Sequence, residues 1–193
     1  MKNKTLEYYE KNFDKLVDRY EKANLDFIHK IILNNVKKDD FILELGFGSG
    51  RELNFLFKNG YKNLYGIDGS KKFVEFVKHR FESDNFKVSI LPEINIDKKF
   101  DFIYSIAVIM HLPISFYEKL IKNISDRLKP GGRVFISFSL GKRDDKERDF
   151  YEVDENLLED FFRKYNIYKQ NEILTTDSLN RNIKWKNILY QKQ

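Results

Sequence analysis

Between Glu44 and Arg51 the chain reads Glu-Leu-Gly-Phe-Gly-Ser-Gly-Arg, with Gly46, Gly48 and Gly50 at alternate positions. Glycines there let a backbone pass close to a ligand, and the helix that follows offers unpaired N–H groups at its start. A dinucleotide fingerprint has glycine at the sixth position, where this chain has Arg51, so tight pyrophosphate packing is disfavoured and NAD is not the expected ligand. Asp68 follows Gly50 by 18 positions and is succeeded by Gly69 and Ser70. A carboxylate at that distance can accept both hydroxyls of an adenosine ribose, although Asp-Gly-Ser is also ordinary turn chemistry. His111 is the candidate general base, because imidazole titrates near neutral pH; a helix-entry histidine bonded to backbone is the other reading. Arg148, Asp177, Arg181 and Trp185 form a distal set. Two guanidiniums there could grip a carboxylate or phosphate beside an indole wall, and an ion-paired scaffold explains the same residues.

Those residues need a sheet to carry them. Residues 41–45 are an apolar run ending at the glycines, and 51–58 then open a helix; 63–67 form a second strand, and Phe73, Val74, Phe76 and Val77 line the next helix. Strands follow at 86–90 and 100–106, with room between them for a single helical turn at most. Pro113 begins a helix with Phe116, Leu120, Ile121, Ile124 and Leu128 on one face, ended by Lys129-Pro130-Gly131-Gly132. A strand at 133–140, a charged loop at 141–149, a helix at 154–165 and strands near 166–173 and 183–191 complete the series. Before all of these, Phe13, Leu16, Val17 and Tyr20, then Leu25, Ile28, Ile31 and Ile32, have helical spacing and predict two helices over the first ~35 residues. Alternating strands and helices imply a mostly parallel sheet covered on both faces.

Composition narrows the chemistry. The 193 residues, 41% of them apolar, suit one domain with one sizeable core. The absence of cysteine excludes disulfides, cysteine-ligated metal and any thiolate nucleophile. No metal site is expected. The net charge of +5 arises from 35 basic residues interleaved with 30 acidic ones, which reads as a solvated surface. No apolar run approaches the ~20 residues of a membrane span and the N-terminal stretch lacks an apolar signal core, so a cytoplasmic protein without a membrane partner is expected.

Four motifs in order, Glu44 to Gly50, Gly66-Ile67-Asp68-Gly69-Ser70, Phe100-Asp101-Phe102-Ile103-Tyr104-Ser105 and Leu128-Lys129-Pro130-Gly131-Gly132, resemble the class I S-adenosylmethionine-dependent methyltransferases. That resemblance implies a Rossmann-like α/β fold, a seven-stranded sheet of order 3-2-1-4-5-7-6 with an antiparallel last strand. It also implies a single domain, with a helical cap at 1–36 and a core at 37–193. A closer resemblance is to small bacterial methyltransferases related to the tellurite-resistance and thiopurine enzymes. It rests on Gly50-Arg51, His111-Leu112-Pro113, Ser137-Phe138-Ser139-Leu140-Gly141, Arg148-Asp149-Phe150, and on Asp177, Arg181, Trp185 and Asn187 at the group's spacing. The chain departs from the pattern at Phe47, at Ser139 and in a shortened loop around Leu91-Pro92.

The resemblance implies S-adenosyl-L-methionine as cofactor and S-adenosyl-L-homocysteine as product. Gly46, Gly48 and Gly50 would make room for its methionine part, Glu44 would order contacts near its amine, and the Ser105 carbonyl would face that amine. Arg51 or a cap tyrosine would meet the carboxylate. Asp68 would hold the ribose, with Gly69 and Ser70 at the same turn, and Ile90 and Leu91 would sandwich the adenine. Transfer from a sulfonium is a single in-line displacement whose rate can come from positioning in a dry pocket, so a base is required only for an acceptor that starts protonated. The expected acceptor is a small, anionic molecule. Nucleic-acid base or ribose methylation is the alternative, along with binding of the cofactor without catalysis. Ser105-Ile106-Ala107-Val108 stands where amino-methylating DNA enzymes carry Asn/Asp-Pro-Pro-Tyr, and C5-cytosine chemistry needs a cysteine nucleophile.

Overall fold

The computed structural model describes residues 3–177 and 181–193. Seven strands form one sheet in the order β3-β2-β1-β4-β5-β7-β6. β1 (Ile42–Leu45) lies between β2 (Leu64–Asp68) and β4 (Phe100–Ile106), both parallel to it, and β3 (Phe86–Val88) extends the sheet beside β2. β5 (Leu128–Ser139) runs parallel to β4; β7 (Lys184–Lys192) is antiparallel to β5 and to β6 (Ile167–Thr176) on the edge. The expected strand order is the observed one.

Strand alternation divides the core in two. Leu43 and Leu45 point with Ile103, Val134 and Ile136 to the face covered by α6 (Tyr117–Arg127) and α7 (Glu155–Lys164), which contribute Leu120, Ile121, Ile124, Leu158 and Phe162. Ile42, Phe102 and Phe135 point to the other face. There α3 (Asp26–Leu33), α4 (Arg51–Lys58) and α5 (Lys71–Phe81) add Ile28, Ile32, Leu53, Leu56, Val74 and Val77. The same alternation turns Glu44 and its register partner Tyr104 toward α4.

Three helices precede the sheet, where the sequence predicts two. The periodic apolar positions belong to α2 (Phe13–Lys22) and α3; ahead of them α1 (Lys4–Lys11) is a polar helix with only Thr5 buried, so it carries no apolar stripe to read. Asn3 caps it by accepting from Leu6 N at 3.0 Å. Asn12 separates it from α2, its side-chain amide donating to Tyr8 O.

Other boundaries shift for local reasons. β3 ends at Val88 instead of 90: Ser89 N makes the last bond to β2, on Asp68 O, and Glu93 N then closes a turn on Ile90 O. No helix lies between Val88 and Phe100, as the short spacing requires. After Pro113 the chain makes one 3-10 turn, Ile114–Phe116, before α6 begins at Tyr117. α6 ends at Arg127, so Leu128, expected on the helix, and 129–132, expected as its terminator, are the start of β5, with a register shift opposite 100–102. Asp154 caps α7, its carboxylate accepting from Leu157 N.

Candidate active site

A cavity of about 350 Å³ opens at the carboxyl edge of the parallel strands. It runs from the β1–α4 and β2–α5 turns, under α1 and α2, to the ends of β5, β6 and β7. Crevices at this edge are where open α/β sheets bind ligands.

At the first end, Asp68 is buried at the tip of β2. Its Oδ2 accepts from Gly48 N at 2.9 Å and its Oδ1 from Ser70 N at 2.8 Å. Burial pushes its carboxyl up to about 6, against the pull of those amides. Each oxygen keeps a lone pair for a further donor. Gly46 and Gly48 line the cavity with positive φ; a Cβ on Gly46 would lie 2.5 Å from Val108 Cγ2, and one on Gly48 would meet the Tyr20 ring at 3.1 Å. Gly50 also has positive φ but lies outside the lining, where a Cβ would strike Val77 at 2.8 Å. Its role is helix packing. Ser70 likewise stands back from the cavity as the cap of α5, accepting from Phe73 N, and Ser105 donates its hydroxyl to Leu45 O. Gly69, Ile90 and Leu91 do line it, Ile90 with 52% of its surface exposed.

Beneath the turn lies a buried acid pair. Burial and the facing Glu52 push Glu44 well above the usual carboxylate range, while Tyr104 donates to it at 2.9 Å. Glu52 is buried too, yet its pKa is lowered, because His29 and Arg51 outweigh the desolvation. Arg51 Nε lies 2.7 Å from Glu52 Oε1, and His29 Nε2 lies 3.7 Å away. His29 faces Glu52 at that distance without a hydrogen bond, and its ring stacks on Phe55 with centroids 3.8 Å apart. Arg51 also donates to the carbonyls of Tyr20 and Ala23 at the end of α2. Its donors fasten the cap helices to the glycine turn.

Midway along the cavity His111 Nδ1 lies 2.7 Å from Asp149 O and Nε2 lies 3.0 Å from the Tyr9 hydroxyl. A carbonyl only accepts, so Nδ1 carries the proton and Nε2 accepts from Tyr9. Burial, with Arg148 and Arg143 nearby, lowers His111 to about 4, so the ring is neutral at physiological pH. Burial raises the Tyr9 hydroxyl above its ordinary value. The two sequence readings of His111 therefore coexist: the ring is bonded to backbone and faces the cavity. Tyr9 carries no sequence signal, since α1 lacks a periodic face and its partner is 102 residues away.

The far end is cationic and aromatic. Arg148 forms a two-pronged pair with Asp145, with Nε at 3.1 Å and Nη2 at 2.6 Å from Oδ2. Arg181 grips Asp177 through both carboxylate oxygens, and Trp185 Nε1 donates to Asp177 Oδ1 at 3.0 Å. Arg148, Asp177, Arg181 and Trp185 do come together in one lining, and both guanidiniums already hold carboxylates. Arg143, Phe150 and Arg19 also line this cavity and were not singled out by sequence. No group of three or more potential metal ligands exists among the described residues.

Comparison with known proteins agrees with this layout. A model of a methyltransferase domain matches residues 43–136. The chain is 26% identical over 177 residues to a Haemophilus influenzae (strain 10810) protein named "Probable S-adenosyl-L-methionine-dependent methyltransferase TehB", covering 87% of this chain and 60% of that protein. It thus spans less than two thirds of that relative's length. Among solved structures, the fold matches magnesium protoporphyrin IX methyltransferase from Synechocystis PCC 6803 with bound S-adenosylhomocysteine at a TM-score of 0.76, 13% identity, covering 97% of this chain and 98% of that one. TehB from Haemophilus influenzae matches at a TM-score of 0.71, 21% identity, covering 94% of this chain and 67% of that one. Residues 43–136 match a methyltransferase domain and the sheet has the order of the class I fold, so the chain is similar to the class I S-adenosylmethionine-dependent methyltransferases. Within that class it is similar to TehB.

Proposed function

We propose that this protein transfers a methyl group from S-adenosyl-L-methionine to a small, anionic acceptor and releases S-adenosyl-L-homocysteine. The observation that carries this reading is Asp68, a buried carboxylate with both oxygens fixed by Gly48 and Ser70 amides and a lone pair of each left over, at the lip of the cavity. The residues present suit the cofactor. A ribose diol would complete Asp68; Ile90 and Leu91 offer apolar surface for an adenine, and Gly46 and Gly48 leave room for the methionine part. Glu44 is close enough to the turn to serve its ammonium group. Gly50, Ser70 and the Ser105 hydroxyl act by shaping this end, since their space or their polar groups are taken up by the fold, whereas Arg51 lines the cavity itself with Nε and Nη1 tied to the fold.

When bound, the cofactor supplies an electrophilic methyl group on a sulfonium. The chain's part is to align the acceptor and take its proton. Tyr9 stands between the cavity and His111 Nε2, so a proton lost by the acceptor to Tyr9 can be matched by one passed from Tyr9 to His111. His111 is a weak base, but a hydroxyl being methylated becomes an oxonium far more acidic than imidazolium, so a weak base suffices. The cap at 1–36 and the core at 37–193 would work as one unit, because α1 provides Tyr9 and also Thr5, whose hydroxyl accepts from Asp149 N.

Calorimetric titration with S-adenosylmethionine, S-adenosylhomocysteine and NADH tests the reading. Micromolar binding of both adenosyl ligands is expected, weakened by ~1–3 kcal/mol in Asp68→Ala. Binding of NADH alone would overturn it.

A further inference from the structure

Arg19, Arg143, Arg148 and Arg181 line the cavity, and two of them are held by an aspartate through paired hydrogen bonds. Arg148 is held by Asp145 and Arg181 by Asp177. Arg143 has no such partner: its Nε and Nη2 are buried and make no hydrogen bond among the described residues. Its Cζ lies 5.0 Å from the centre of the Phe150 ring and 5.6 Å from that of Trp185. Aromatic contact of this kind engages the faces of the planar cation and leaves the in-plane N–H edge unsatisfied. A half-buried cation with two buried N–H groups unbonded, beside Arg148, Arg181 and Arg19 and offset only by the Asp177 charge, is costly unless a further acceptor reaches it.

We propose that Arg143 is the acceptor-recognition residue, taking a single carboxylate carried on an apolar, planar body. This rests on the methyl-transfer reading above. The free Nε–Nη2 edge of Arg143 matches one carboxylate in charge and geometry, whereas the same edges of Arg148 and Arg181 are already filled by aspartates. Position separates this group from the cofactor end. Arg143 follows β5 and Asp68 ends β2, and three inter-strand steps of the sheet, roughly 14 Å, lie between those strands. The stretch between them is lined by Ile106, Ala107, Met110 and Leu112, with Tyr9 and His111 facing it. A carboxylate on Arg143 would therefore hold an apolar ring in the middle of the cavity, with its far side toward the reacting end.

Trp185 is the chain's single tryptophan, so its fluorescence reports on this end alone. The full-length protein, with and without S-adenosylhomocysteine, is titrated with benzoate and with its neutral counterpart benzamide. Benzoate should give a saturable change and bind at least tenfold more tightly than benzamide. Arg143→Met should lose at least tenfold in benzoate affinity while S-adenosylhomocysteine binding, measured by calorimetry, stays within twofold; that unchanged binding also shows the variant is folded. Equal binding of benzoate and benzamide, no binding of either, or undiminished benzoate binding by Arg143→Met would each overturn the proposal. Loss of S-adenosylhomocysteine binding in Arg143→Met with its circular dichroism unchanged would also overturn it, assigning the guanidinium to the cofactor. If the wild type binds benzoate through Arg143 but no adenosyl ligand, the anion site stands and the methyl-transfer reading falls.

Discussion

His111 shows how much a side chain's surroundings alter its chemistry. An exposed imidazole takes up a proton near neutrality, whereas this one is buried, bonded on both nitrogens and held down to about 4. The unfolded chain protonates it near 6.5 and the folded chain does not, so native stability is lost as pH falls between those values. The difference of 2.5 units corresponds to about 3 kcal/mol. His111→Gln removes this dependence. Urea unfolding at pH 7 and at pH 4 should therefore show the wild type losing about 3 kcal/mol more than the variant on acidification. The hydrogen bonds lost in the variant cancel in that double difference. An equal pH response of the two proteins would show that the ring titrates in the native state as it does in water.

Among the elements, the turns do the positioning, and helix α1 completes it. The β1–α4 turn packs Gly46 under Val108, which follows β4, so two loops share one small space. Gly60 has a similar positive φ with nothing within 4 Å. Alanine at Gly60 should cost only the left-handed backbone term, about 1–2 kcal/mol. Gly46→Ala should cost clearly more, because the added methyl meets Val108, and Val108→Ala should recover part of the difference. Thermal unfolding of the four variants measures this, and equal losses at the two glycines would mean that the loops part freely. On the other side of the cavity α1 is bound by polar ties as well as by the packing of Leu6, Tyr8 and Tyr9. Lys72 reaches Glu10 O, Thr5 holds the loop at Asp149, and Tyr9 meets His111. Leu6 rests on Gly69, where a Cβ would come within 2.6 Å.

For the molecule as a whole, ligand and stability are linked, since the cavity is formed from both ends of the sheet edge and from the cap. S-adenosylhomocysteine at a hundred times its dissociation constant adds ~2.7 kcal/mol to the native state by mass action. For a chain of this length that raises the midpoint of thermal unfolding by roughly 5–10 °C. NADH should leave it unchanged. Scanning calorimetry distinguishes the two, and an equal rise with NADH would contradict the assignment of the first end. No helix among the described residues is long and apolar enough to cross a membrane.

Much of this arrangement is local and therefore written in the sequence. Periodicity gives the strands and helices, the glycines at 46, 48 and 50 mark the ligand turn, and Asp68 stands at the end of its strand because a turn must follow there. The sheet order came from motif resemblance and matches the observed order, although no single segment's pattern encodes it. Long-range chemistry is different. Arg51 reads as a ligand contact beside the glycines and does line the cavity, while its Nε and Nη1 are bonded to Glu52, Tyr20 and Ala23, the last two 31 and 28 residues away. Arg148 and Arg181 read as an anion grip, but Asp145 and Asp177 fill them. Tyr9 and Arg143 sit in a polar helix and a charged loop, where nothing distinguishes them from surface residues until the chain closes over the sheet edge. Local spacing thus determined the elements and the cofactor turn. Only folding decided which charges pair with each other and which are left for a ligand, because pairing depends on contacts between segments that periodicity cannot encode.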